Sequence, residues 1–291
     1  MDFDNLPTST KTLIIYTTIN ADIEKIYNER VFPVEPYVLV QKKRGRKKKG
    51  CEENPNKDLK DGSIVHVNYK DSFYGFTPNP IPPEFFRNST TIIIYVENKL
   101  INFKLSRRGT LQMTGCKSLE QARKCVMYFW SHLIKHPDKY TFKDGEDSFR
   151  VYYDFVMKNI KFDIGFKVDR EAINDFINRA TKHNSIFETT IGYAGVNVKF
   201  EIDSKRDSEF MVAYDDYVDD KPNSSGAISY KELAEKMKIR AKKRYITFLI
   251  FQSGIVIMSG KDNVYMKEPY DEFQSMIKTH RTIFEEKVEF Q

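Results

Sequence analysis

Two seven-residue segments of this chain, GTLQMTG at 109–115 and GIVIMSG at 254–260, are versions of one another, and the offset of 145 between them holds at both ends. In each, a short strand-like run lies between two glycines, with Met113 in step with Met258 and a hydroxyl at Thr114 and Ser259. An internal repeat constrains the fold more tightly than composition does, because both copies must build the same supersecondary unit.

The flanks repeat too. Before each first glycine stands a strand pattern rich in β-branched and aromatic residues, LINFKLSRR in one copy and RYITFLIFQS in the other. After each second glycine comes a helix pattern. Ser118 is placed to cap LEQARKCVMYFWSHLI, whose Leu119, Ala122, Val126, Phe129 and Leu133 share one face. Tyr270, Phe273 and Ile277 do the same in the second copy, with Pro269 expected in a first turn. Gly109 and Gly254 suit tight hairpin turns, and Gly115 and Gly260 an abrupt change from strand to helix. Each half also starts alike, KTLIIYTTI before ADIEKIYNERV and FVMKNIKFDIGFKV before DREAINDFINRATK. The half-unit therefore reads strand, helix, several antiparallel strands, helix. Two such units predict a long curved antiparallel sheet with helices on one face, leaving the other face available. The halves are expected at about 10–136 and 148–284, with a basic and proline-rich insertion near 42–88 and a polar, acidic one near 203–230, and with 137–149 as a connector.

Charge is concentrated rather than spread. The net charge is +6, and KKRGRKKKG alone supplies seven positive charges from Lys42, Lys43, Arg44, Arg46, Lys47, Lys48 and Lys49, which leaves −1 for the remainder. Such a run serves as an import signal or a phosphate-seeking arm, or is a solvated loop without a partner. Three cysteines, Cys51, Cys116 and Cys125, form no C-x-x-C pair and support neither a disulfide framework nor a cysteine zinc site. No apolar run nears the roughly 20 residues a membrane span needs, and MDFDNLPTSTK is not a signal peptide. An intracellular protein is expected, without membrane, metal or other cofactor.

With the repeat established, GTLQMTGCKSLEQARK resembles the strand-to-helix signature in the first repeat of TATA-binding proteins, and FLIFQSGIVIMSGK resembles the matching stretch of their second. The resemblance is strongest over about 100–125 and 245–280 and is similar to the divergent members of large DNA viruses or protists. It implies an α+β saddle of two pseudo-symmetric repeats. The concave sheet would bind and bend the minor groove of A·T-rich promoter DNA, in the nucleus or, for a viral protein, at the site of viral transcription. The implied partners are double-stranded DNA and, as a class, initiation factors or RNA polymerase, with the chain a monomer. Apolar strand residues and small hydroxyls suit the sparse hydrogen-bonding edges of that groove, and apolar wedges kink it.

Residue by residue, the resemblance implies that Leu249, Phe251, Ile257 and Ser259 face the groove, with Phe251 a wedge and Phe187 its candidate partner. Asn159 matches a family asparagine at the centre of the site. Lys161 stands where the family has an apolar contact, which leaves strict TATA preference open. In the first repeat Leu13 and Ile15 match the start-strand face, Phe86 (or Phe85) supplies one wedge, and the other falls at Leu105 or Ser106. If Phe103 and Leu105 point inward, Asn102, Lys104 and Ser106 face DNA instead, alongside Gln112 and Thr114, and the kink is one-sided. The acidic, proline-containing loop beside the family's second wedge pair is lacking, so no particular protein partner is implied.

Two other classes compete. Asp215, Asp216, Asp219 and Asp220 have the ingredients of a two-metal nuclease site, set against a solvated loop. His132 and His136 lie one helical turn apart but show no third ligand. The remaining alternative is an interaction scaffold that kept the saddle without sequence-specific DNA binding. No phosphate-binding or nucleophile-elbow motif occurs.

Overall fold

The computed structural model describes residues 2–38, 56, 58–77, 88–187, 195–202, 209–240 and 243–286. The chain divides into two compact units, each assembled from separate stretches of sequence. Unit I comprises Leu13–Asp154 and Val212–Ile228; unit II comprises Met1–Thr12, Phe155–Met211 and Ser229–Gln291.

Unit I is entered along β1 (Thr8–Thr17), followed by β2 (Ile19–Ala21), α1 (Ile23–Asn28), β3 (Ile64–Tyr69), β4 (Ser72–Gly75), β5 (Ser89–Val96), β6 (Lys99–Ser106), β7 (Leu111–Thr114), α2 (Leu119–Leu133), β8 (Tyr140–Phe142) and the start of β9 (Arg150–Asp163). Its strand order is β1-β7-β6-β5-β3-β4, and β2 pairs with β8. Alternation along β5, β6 and β7 buries Ile92, Ile94, Ile101, Phe103, Leu105, Leu111 and Met113. Helix α2 covers them with the predicted stripe: Ala122, Val126, Phe129 and Leu133 are buried, and Phe129 meets the Phe103 ring edge-on at 5.8 Å. Ser118 caps that helix, its Oγ accepting from the Gln121 N–H at 3.2 Å.

Unit II takes the rest of β9, then α3 (Arg170–Ala180), β10 (Asn184–Ile186) and β11 (Gly195–Ile202). After the hairpin β12 (Met211–Val218) and β13 (Lys221–Ser229), which belongs to unit I, it resumes with α4 (Tyr230–Lys236), β14 (Arg244–Phe251), β15 (Ile255–Gly260), α5 (Asn263–Thr279) and α6 (Arg281–Phe284). The strand order is β10-β11-β14-β15-β9. Phe248 stacks on Phe273 of α5 at 4.2 Å, and Ile173 and Ile177 of α3 enter the same core. Read from their first strands, β1-β7-β6-β5-β3 and β9-β15-β14-β11-β10 follow one order.

Two expectations are corrected. Helix α5 starts at Asn263, so Pro269 lies inside it rather than in its first turn. Asp262 caps that earlier start, accepting from the Val264 N–H at 3.0 Å, and buried Met266 anchors it. The acidic segment expected as a polar loop near 203–230 instead contains the β12–β13 hairpin. Val212, Asp215 and Tyr217 occupy its buried positions, and β12 pairs with β9, Asp215 opposite Val151.

Candidate nucleic-acid interface

In unit II the side chains that alternate with the core form a second sheet face, outside the helix-side cluster. The registers arrange it in rows. Asn159 lies opposite Ser259, Ser259 opposite Thr247, and Thr247 opposite Lys199. One step along, Lys161 faces Ile257, Ile257 faces Leu249, and Leu249 faces Asn197. Beyond these, Phe251 lies opposite Gly195 and Ile255 opposite Asp163. Lys161 is exposed, while Leu249, Phe251, Ile255 and Ile257 are half-buried, each leaving apolar surface in solvent. Half-buried apolar side chains therefore gather on the sheet face away from the helix-side core.

Asn159 is held in place on this face. Its Nδ2 donates to Thr10 Oγ1 at 2.8 Å, and Ser9 Oγ donates to its backbone oxygen at 3.2 Å. Thus Asn159, Lys161, Leu249, Phe251, Ile257 and Ser259 are brought together. Phe187 is not: it packs against the helix-side core, with the Arg170 guanidinium 5.0 Å from its ring centre. Thr247, Asn197, Lys199 and Ile255 were missed, although period-two reading of RYITFLIF and GVNVKFEI points to the first three.

The corresponding face of unit I is more polar. Lys104 pairs with Gln112 and with Thr91, and Asn102 pairs with Thr114 and Ile93. Gln112 and Thr114 are exposed, and partial burial draws the Lys104 ammonium below the usual lysine range. Leu13, Ile15 and Leu105 are fully buried and do not reach this face. On β1 the outward positions are Thr12, Ile14 and Tyr16, one residue out of step with the expected assignment. Phe86 and the basic cluster 42–49 lie outside the described residues.

Two of the four carboxylates considered for metal are committed to arginine and serine partners. Asp215 is buried and accepts from Arg123 Nε and Nη2, both at 2.9 Å, and from Ser225 Oγ at 2.6 Å. Asp216 accepts from Arg150 and from Ser224 Oγ. Asp219 and Asp220 are exposed at the hairpin tip. Among the described residues no group of three His, Cys, Asp or Glu side chains is arranged to hold a metal. Likewise, no helix among them is long and apolar enough to cross a membrane.

No family model matches the chain. It is 27% identical over 209 residues to uncharacterized protein 335L of Invertebrate iridescent virus 6, covering 68% of this chain and 62% of that protein. It is 27% identical over 147 residues to a TATA-box-binding protein-like protein of Acanthamoeba polyphaga mimivirus, covering 43% of this chain and 40% of that one. Both matches span less than two thirds of the viral proteins' lengths. A solved structure of Methanococcus jannaschii TBP overlaps 94% of this chain and 98% of its own, with a TM-score of 0.43 and 12% identity. The sequence similarity to the mimivirus protein supports a divergent TATA-binding-protein-like chain.

Proposed function

We propose that this chain is a promoter-DNA-binding, general-transcription-factor-like protein that bends the minor groove of A·T-rich duplex through the open face of its sheet. The observation that carries the proposal is the cluster of Leu249, Phe251 and Ile257 beside Asn159 and Ser259, with Lys161 exposed at its margin. Apolar contacts tolerate A·T edges, an aromatic side chain wedges a base step, and the lysine meets phosphate. The repeats proposed at 10–136 and 148–284 each supply an open face, apolar in the second and more polar in the first, and the similarity to a protein named TATA-box-binding protein-like supports the same reading. Both relatives are viral, which favours the site of viral transcription as the place of action. This is a binding role, with no reaction assigned.

Competition between labelled A·T-rich and G·C-rich duplexes tests it. The A·T-rich duplex is expected to bind more tightly, and Phe251→Ala to weaken binding by about 1–3 kcal/mol, the worth of one aromatic stacked on a base. Equal affinity for both duplexes, lost with added salt and indifferent to Phe251→Ala, would leave only the basic run 42–49 as a phosphate contact and return the sheet to the role of a protein scaffold.

A further inference from the structure

The β6–β7 and β14–β15 hairpins are built on one frame and carry opposite chemistry. In the first, the Gly109 N–H donates to Ser106 O at 3.0 Å, Thr17 Oγ1 donates to Gly109 O at 2.8 Å, and the Ala21 N–H donates to Arg107 O at 2.9 Å. In the second, the Gly254 N–H donates to Phe251 O at 3.0 Å, the Ile164 N–H to Gly254 O at 3.0 Å, and the Val168 N–H to Gln252 O at 2.8 Å. Both glycines are left-handed, with φ of 67° and 85°. A Cβ would come within 2.1 Å of Ile19 O at Gly109 and 2.2 Å of Phe166 O at Gly254. Each turn is therefore pinned to its own unit through the same backbone acceptors, Gly109 O and Arg107 O in one and Gly254 O and Gln252 O in the other, and the two differ in what they display.

The displays correspond at the offset of 145 found in the sequence. Leu249 and Ile257, paired in unit II, have Lys104 and Gln112, also paired, as counterparts in unit I. Phe251 has Ser106, whose hydroxyl is spent on the turn, accepting from the Thr110 N–H at 3.2 Å. Gln252 and Ser253 at the tip have Arg107 and Arg108, both exposed. Lys143 sits near enough to Arg108 to feel its charge. An aromatic is what enters a base step, whereas a pair of guanidinium forks on a rigid turn is what grips phosphate oxygens.

We infer that the two hairpins divide the work on DNA: the unit II hairpin unstacks a base step with Phe251, and the unit I hairpin holds backbone phosphates with Arg107 and Arg108 and unstacks nothing. This rests on the DNA-binding reading above.

The full chain is titrated with salt on an A·T-rich duplex carrying a fluorescent adenine analogue at successive positions. One unstacked locus is expected, abolished by Phe251→Ala. The double variant Arg107→Ala/Arg108→Ala should keep that locus while the log–log salt slope falls by about 1.8, at roughly 0.9 per lost phosphate contact. Arg107→Lys/Arg108→Lys should restore the slope, which a merely misfolded turn would not allow. An unchanged slope in the alanine variant, or a second locus that survives Phe251→Ala, overturns the division of work while leaving DNA binding intact. Wild type that binds no duplex, or binds without any unstacked step, brings down the underlying reading and the inference with it.

Discussion

At the scale of single residues, the side chains with the most telling surroundings are two imidazoles, one buried and one half-buried. His66 lies between the Phe73 and Phe76 rings, 5.5 and 5.7 Å away, with Nδ1 2.8 Å from Phe76 O. His132 packs against Phe32 at 6.2 Å. Burial lowers both imidazoles below the ordinary value of 6.5, and for His132 the charges of Lys135 and His136 add to the effect. The unfolded chain then binds protons more readily than the folded one. Stability is accordingly full above the unfolded value and is lost as pH falls from 6.5 toward the lower folded values. Carboxylates such as Asp22 and Asp138 titrate below their ordinary value of 3.8, outside that window. The urea midpoint should be lower at about pH 5.5 than at about pH 7.5, and His66→Gln should flatten part of the difference. A midpoint independent of pH across this range would show that neither imidazole is kept neutral by the fold.

At the scale of elements, the β12–β13 hairpin carries the largest correction and the clearest test. It is held within unit I through half-buried Arg123 paired with buried Asp215, Arg150–Asp216, and the Trp130 Nε1–H donating to Asp219 O at 2.7 Å. Removing one partner of a buried pair leaves an uncompensated charge, so Arg123→Ala should destabilise the protein by about 3 kcal/mol, the low end for such pairs because Arg123 is itself partly exposed. Trp130 is the chain's single tryptophan and is buried, stacked on Phe149 at 3.9 Å, so its emission reports the docking directly. A red shift should accompany the loss, and unchanged emission with unchanged stability would mean the pair is idle.

The hairpin was illegible in sequence because its inward carboxylate finds its arginine 92 residues away, and a run of aspartates read locally looks solvated. Other elements were legible for local reasons. The Ser118 cap and the 3.6-residue stripe of α2 need only neighbouring residues, and alternation in β14 placed Leu249 and Phe251 on the open face. On β1 the parity was taken one residue out of step, which exchanged Leu13 and Ile15 with Thr12, Ile14 and Tyr16. Of the two positions weighed for the first-repeat wedge, Leu105 and Ser106, the shared turn places Ser106 opposite Phe251 in the repeat and Leu105 with buried Ile250.

For the whole molecule, each unit has one helix-covered core and one open sheet face, and in unit II that face gathers apolar side chains around a held asparagine. Apolar surface left in water is costly, and under the proposed role a partner would cover it. The proposed partner is a duplex whose deformation the contacts offset, a few kcal/mol for each unstacked step. The decisive measurement is the end-to-end distance of an A·T-rich duplex, labelled at both ends with a fluorescence pair, on binding wild type and Phe251→Ala. Wild type should shorten it markedly, and Phe251→Ala should shorten it far less while melting at the same temperature. Tight binding of both proteins with no change in distance would contradict the account.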